Sequence, residues 1–68
     1  MSDEQLSELY QSSTHPEFEI HIDGEFSGQY LRQVEGGWIH LYYDKDDTCQ
    51  MAFSEEGFHS DAWALVPA

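Results

Sequence analysis

The stretch GWIHLYYDKDD, residues 37–47, decides how this chain folds. Successive side chains of an extended strand point to opposite faces of a sheet, and the acidic run after the aromatic residues is typical of a turn. Strand alternation therefore predicts one apolar face and one aromatic face. The first carries Ile39, Leu41 and Tyr43, and the second carries Trp38, His40 and Tyr42.

Other segments with the same two-residue period flank this stretch and are separated by turn residues. They are FEIHI at 18–22, residues 26–34, residues 49–53 and AWALV at 62–66. Turn signals at this spacing predict an antiparallel meander of four or five strands within residues 17–67. The sheet is expected either to stay open or to curl into a small barrel that buries Trp38.

The residues before Pro16 predict a short helix within residues 1–13. Ser2 and Gln5 have the spacing of a capping box, and proline prevents the helix from continuing. An apolar stripe at helical spacing would lie on the sheet, and it consists of Leu6, Leu9 and Tyr10. We therefore predict a single α+β domain, residues 1–68, in which the helix packs on the sheet.

The register of the hairpins is predicted by requiring that apolar residues share one face. A three-residue loop at 23–25 pairs Ile22 with Phe26, a two-residue turn occupies 36–37, and a five-residue loop occupies 44–48. The predicted core face then carries Phe18, Ile20, Ile22, Phe26, Tyr30, Val34, Ile39, Leu41, Tyr43, Met51 and Phe53. Arg32 lies among them, and its charged head is expected to reach a carboxylate or water.

The opposite face combines acidic and aromatic residues. It is predicted to carry Glu17, Glu19, His21, Leu31, Gln33, Glu35, Trp38, His40 and Tyr42. Aromatic residues are enriched in binding hot spots, so Trp38 and Tyr42 beside carboxylates indicate an interface if the sheet stays open.

The net charge of the chain restricts the kind of partner that it can bind. Fourteen acidic residues stand against two basic ones, which gives a formal net charge of −12. Nucleic acid and anionic membranes repel such a surface, whereas a basic protein is attracted. No segment has the length of a membrane span or the pattern of a secretory leader, and the lone Cys49 suits a reducing compartment. We therefore expect a cytoplasmic protein that contacts neither nucleic acid nor membrane directly.

The sequence lacks the spacings that catalysis or metal binding usually requires. The four histidines show no short zinc-type spacing, although His21 and His40 would share the outer face. Cys49 is expected on the core face, where a free cysteine is usually an inert hydrophobe. We therefore expect no enzymatic activity, no metal site and no cofactor.

Carboxylates spaced over a folded scaffold can imitate the phosphates of nucleic acid. In size and charge the chain resembles the small inhibitors with which phages and mobile elements block restriction, repair or CRISPR proteins. This resemblance implies an inhibitor of a nucleic-acid-binding protein, and we expect the chain to be a monomer or a homodimer. The residues predicted to bind the partner are Glu17, Glu19, Glu35, Trp38, His40, Tyr42, Asp44, Asp46, Asp47, Glu55 and Glu56.

A second interpretation remains open. The chain would then be a small accessory or structural β-domain. Its acidic surface would serve solubility, high salt or docking to one specific partner.

Overall fold

A computed structural model describes residues 2–68, and within them one helix precedes five strands. The elements are α1 (Asp3–Ser12), β1 (Glu17–Ile22), β2 (Glu25–Val34), β3 (Gly37–Tyr43), β4 (Cys49–Ser54) and β5 (Trp63–Pro67). The strands form one antiparallel sheet in the order β4-β3-β2-β1-β5. The predicted α+β class is confirmed, and the alternative of a closed barrel is wrong because β4 and β5 are separate edges of the described sheet.

The helix begins at the predicted cap. The Ser2 hydroxyl accepts a hydrogen bond from the Gln5 amide at 3.2 Å, and the Ser2 amide donates to the Gln5 side chain at 3.0 Å. This reciprocal pair satisfies two N–H groups that the first turn would otherwise leave without partners. Beyond the helix, the Ser13 hydroxyl donates to the Gln33 carbonyl at 2.6 Å, which ties the end of α1 to the end of β2.

The first hairpin has a shorter turn than predicted. Ile22 pairs with Glu25, so the turn consists of Asp23 and Gly24, and the predicted pairing of Ile22 with Phe26 is wrong. Both turn residues have positive φ, 55° and 82°. Positive φ at both positions is typical of the two-residue hairpin turn whose backbone twist matches that of the flanking strands. Asp-Gly is one of the sequences preferred in this turn. The local turn preference therefore outweighs the matching of apolar residues.

A β-bulge in β2 follows this turn. Ile20 pairs with Gln29, whereas the next residue, His21, pairs with Phe26. Two residues of β2 are thus left over, and one of them is Gly28, with a φ of 82° that glycine adopts without strain. The bulge leaves Phe26 on the same face as His21.

The second hairpin also differs from the prediction. Val34 pairs with Gly37, so the turn consists of Glu35 and Gly36 rather than of residues 36–37. The φ of 86° at Gly36 explains why a glycine occupies the second turn position. The third hairpin has the predicted register, with the pairs Ile39–Phe53, Leu41–Met51 and Tyr43–Cys49.

These registers turn β1 over relative to the prediction, because a shift of one residue moves every side chain to the other face. The side covered by α1, called here the helix face, carries Glu17, Glu19, His21, Phe26, Tyr30, Arg32, Val34, Ile39, Leu41, Tyr43, Cys49, Met51, Phe53 and Val66. The opposite side, called the crossed face, carries Phe18, Ile20, Ile22, Leu31, Gln33, Trp38, His40, Tyr42, Trp63 and Leu65.

The main core lies between α1 and the helix face. Its buried residues are Leu6, Tyr10, Val34 and Ile39, and the partly buried residues around them are Leu9, Leu41, Met51 and Phe53. Of the predicted core residues on β1, Ile20 is fully buried, but on the crossed face beside Leu31. Both sides of the sheet therefore contribute to its stability.

The connection from β4 to β5, residues 55–62, is called here the crossing segment, and it covers part of the crossed face. It runs from one edge of the sheet to the other, because β5 pairs with β1 rather than with β4. Gly57 lies so close to Trp38 that an added Cβ would be 3.1 Å from Cδ1 of the indole. Trp38 is therefore half-buried beneath this segment.

Candidate functional site

The residues predicted to bind a partner lie in five places. Glu17 and Glu19 are on the helix face; Trp38, His40 and Tyr42 are on the crossed face; Glu35 is in the β2–β3 turn; Asp44, Asp46 and Asp47 are in the β3–β4 loop; and Glu55 and Glu56 begin the crossing segment. The expectation that Glu17 and Glu19 share a face with Trp38 is wrong, because β1 is turned over.

Glu17 is engaged within the fold. The Tyr10 hydroxyl donates a hydrogen bond to its carboxylate, and Nη2 of Arg32 lies 3.7 Å from the same oxygen. The approach of Arg32 to Glu17 confirms the expectation that its charged head reaches a carboxylate, and Nη1 of Arg32 also donates to the Tyr10 carbonyl at 2.9 Å. Burial is the main reason that the pKa of Tyr10 is raised, and the hydrogen bond to Glu17 raises it further. Glu17 therefore joins the sheet to the helix.

His40 is the centre of an aromatic cluster on the crossed face. Its ring centroid lies 4.9 Å from that of Tyr42, 5.3 Å from that of Phe58 and 5.2 Å from that of Trp63. The imidazole Nε2 lies 2.7 Å from the side-chain carbonyl oxygen of Gln29, which can only accept, so we assign the ring proton to Nε2. Burial lowers the pKa of His40. The imidazole is therefore neutral at pH 7 and supplies packing rather than charge.

A cleft runs beside Trp38 on the same face. The crossing segment borders it through Glu56 and Phe58, and Leu31 and Leu65 also line it. Its volume is about 430 Å³. The predicted Trp38 anchor is one of the residues that line this cleft.

One end of the sheet concentrates exposed carboxylates. The β1–β2 turn and the β3–β4 loop lie at this end because alternate connections of a meander share an end, and β5 starts there because Trp63 pairs with Ile22. We call it the acidic end, and its residues are the exposed Asp23, Glu25, Asp46, Asp47 and Asp61, together with the half-buried Asp44. Sequence reasoning named the loop acids and missed Asp23, Glu25 and Asp61. The meander itself implies the position of Asp23 and Glu25, whereas Asp61 reaches this end because β5 pairs with β1.

Asp44 orders the loop at this end. Its carboxylate accepts hydrogen bonds from the Asp46 amide at 2.9 Å, the Thr48 amide at 3.0 Å and the Gln50 side chain at 3.0 Å. These hydrogen bonds lower the pKa of Asp44, and the bond from the Thr48 amide has the largest effect. Asp46 and Asp47 are exposed beside this internal anchor, so the loop presents their charges in a defined conformation.

The remaining predicted acids lie at the other end. Trp38 pairs with Ser54, which brings the start of the crossing segment, Glu55 and Glu56, to the end that carries the Glu35 turn. All three glutamates are exposed. The structure thus places these three glutamates at the opposite end of the sheet from the acids of the β3–β4 loop.

His21 and His40 lie on opposite faces, so the expected approach of these two histidines is wrong. Among residues 2–68, no three His, Cys, Asp or Glu side chains converge in a way that could hold a metal ion. Cys49 lies on the helix face as expected, but it is exposed rather than buried.

Comparison of the chain with protein-family models, with curated proteins and with solved structures finds no match. Over residues 2–68, no helix has the length and apolar character required to cross a membrane.

Proposed function

We propose that this protein is a non-enzymatic acidic module that occupies the basic surface of a nucleic-acid-binding protein and inhibits it by competition. The supporting observation is the acidic end, where exposed carboxylates from separate connections surround a loop ordered by Asp44. Ordered charges pair with a basic partner without the entropy loss of immobilising a flexible tail. They also steer the encounter, since complementary fields raise association rates.

The two basic residues offset only a small part of the negative charge. Arg32 is directed inward toward Tyr10 and Glu17, and Lys45 lies in the acidic loop beside Asp46. A surface of this kind repels phosphates, so the proposed partner is the protein that normally grips them with lysine and arginine. We place this activity in the cytoplasm, where an exposed single cysteine stays reduced. The proposed class is that of phage or mobile-element counter-defence proteins.

A second candidate function is supported by the cleft beside Trp38. The protein would then be an accessory domain that docks on one specific partner through the crossed face, with an apolar side chain of the partner in the cleft. This mode makes no use of the acidic end and does not compete with nucleic acid.

The first experiment is an affinity capture from host lysate treated with nuclease, followed by elution with duplex DNA. The informative variant is Asp46→Asn with Asp47→Asn, and the matched control is Glu55→Gln with Glu56→Gln, which removes the same charge at the opposite end. We expect DNA to displace a basic nucleic-acid-binding protein, and capture to fall with the loop variant but not with the control.

Two results would contradict the proposal. Equal loss with both double variants would show that total charge, rather than the acidic end, governs binding. A captured protein that DNA does not displace, and that Trp38→Ala releases, would establish the docking function instead.

A further inference from the structure

The helix leaves part of its own face uncovered. An α-helix with side chains is about 10 Å wide, whereas neighbouring strands lie about 4.8 Å apart, so one helix covers little more than two strands. Here α1 packs against β2 and β4 and over the residues of β3 between them. The end of the helix face near the β1–β2 turn stays open.

Aromatic side chains occupy this open region. Phe26 is 45 % exposed and Tyr43 is 54 % exposed. The Phe26 ring packs edge-on against Tyr30, with centroids 5.4 Å apart, and Tyr43 is diagonal to Tyr30 because Tyr30 pairs with Leu41. We call Phe26, Tyr30 and Tyr43 the aromatic strip. All were predicted in the core; the structure leaves two of them largely exposed.

Carboxylates border the strip. Glu19 lies on the same face and pairs with Tyr30, and the exposed Asp23 lies in the turn next to this end of the strip. An apolar partner surface would cover the rings but leave these charges without partners, at a desolvation cost. An arginine guanidinium satisfies both, because its planar group stacks on an aromatic ring while its N–H groups donate to carboxylates. Arg32 over Tyr10 already shows this geometry inside the protein.

We propose that the aromatic strip binds arginine side chains of the basic partner. This inference rests on the proposed function and names the contact that adds affinity to electrostatic steering. It also predicts selectivity, since the ammonium of lysine lacks the planar group that stacks on a ring.

A second copy of this chain is a poorer occupant. Two strips packed together would bring two acidic ends into proximity, with a net charge of −12 on each chain. The β5 edge also offers little to a partner strand. The Ala68 amide donates to the Glu17 carbonyl. Backbone N–H groups alternate in direction along a strand, so the backbone nitrogens of Trp63, Leu65 and Pro67 point away from β1 toward the free edge. The Trp63 amide donates to Ser60 and proline has no N–H, which within β5 leaves the amide of Leu65.

The test compares a nine-residue arginine peptide with a nine-residue lysine peptide in fluorescence anisotropy at 0.15 M salt, a condition that weakens pure steering. We expect the arginine peptide to bind wild type about tenfold more tightly, as two cation–π contacts allow. Phe26→Ser with Tyr43→Ser should abolish this preference. Leu65→Ser is the matched control, since Leu65 is also 45 % exposed but lies on the crossed face.

The outcomes separate the two proposals. Equal affinity for both peptides overturns the strip alone, provided that DNA still displaces the captured partner. An arginine preference that survives the double serine variant, shown by circular dichroism to be folded, also overturns it. If the double variant does not fold, Tyr43→Ser alone replaces it, with an expected loss of about threefold for the arginine peptide. If neither peptide binds, the strip proposal fails together with the proposed function.

Discussion

The guanidinium carbon of Arg32 lies 4.7 Å from the centroid of the Tyr10 ring, and the same guanidinium donates to the Tyr10 carbonyl. Glu17 completes the group by accepting from the Tyr10 hydroxyl and approaching Arg32. A helix residue, a β1 residue and a β2 residue are thereby joined at one point. In a chain this small, such a junction carries a large share of the stability that holds the helix on the sheet.

Replacement of Arg32 should destabilise the fold. Arg32→Met removes the bond to the Tyr10 carbonyl, the stacking and the pairing with Glu17 while keeping much of the aliphatic stem, so the free energy of unfolding should fall by about 2 kcal/mol in urea titration. Lys45→Met removes the same charge from an exposed loop and should change it by less than about 0.5 kcal/mol. Equal losses would show that the effect comes from net charge rather than from the junction.

The Tyr10 hydroxyl should make stability depend on alkaline pH. Because burial and Glu17 raise the pKa of Tyr10 above its ordinary value of 10.0, the folded state keeps this proton longer than the unfolded chain does. The stabilisation is complete below pH 10 and should be lost as the pH rises above it. Thermal unfolding from pH 8 to 11 should show a steeper fall for wild type than for Tyr10→Phe. Tyr43→Phe, which removes a hydroxyl from an exposed ring, should keep the wild-type slope.

His40 should make stability depend on mildly acidic pH. Its pKa lies below the ordinary value of 6.5 because burial disfavours the charged ring. The unfolded chain therefore binds a proton first, and stability should fall as the pH drops from 7 through 6.5 toward the folded pKa. Urea titrations at pH 7.0 and 5.5 should show a smaller difference for His40→Gln than for wild type. An unchanged difference in His40→Gln, or an equal reduction in the exposed His59→Gln, would exclude His40 as the source.

A side chain at Gly57 should displace the crossing segment. Gly57→Ala places a methyl group 3.1 Å from the Trp38 indole at a φ of 92°, so stability should fall by about 2 kcal/mol and Trp38 emission should shift to longer wavelength. Measuring in a Trp63→Phe background isolates Trp38. Gly36→Ala is the control, because it has a similar φ of 86° and its added Cβ would meet no described atom within 4 Å. A comparable red shift in both variants would contradict the contact.

Local signals predicted the parts of the fold that they control. The capping box located the start of α1, and the register across loop 44–48 followed from matching Leu41 with Met51. The first hairpin was misassigned because Ile20 and its apolar neighbours were taken to face the helix. The polar sequence of residues 55–62 gives no sign that it would cover the other side of the sheet, so alternation alone could not say which face Ile20 joins.

The candidate site shows the same division. The sequence itself shows that the acids of the β3–β4 loop form a charged group. The order of strands in a meander also implies that Asp23 lies at the same end of the sheet as this loop. The exposure of Phe26 was not readable, because it depends on how far a helix of limited width extends across the sheet. Pattern reasoning assigns an apolar residue to a face but does not say whether that face is covered at that position.

The pairing of β1 with β5 has a consequence for the order of folding. β1 is paired by β2 early, through a two-residue turn, but its other side has to wait for a strand from the far end of the chain. Closing so long a loop is slow compared with forming hairpins. Until β5 arrives, β1 is an edge with Ile20 uncovered, and during that interval a nascent chain is most exposed to strand exchange or capture by a chaperone. The pairing of β5, the fifth strand along the chain, thus ends the vulnerable period.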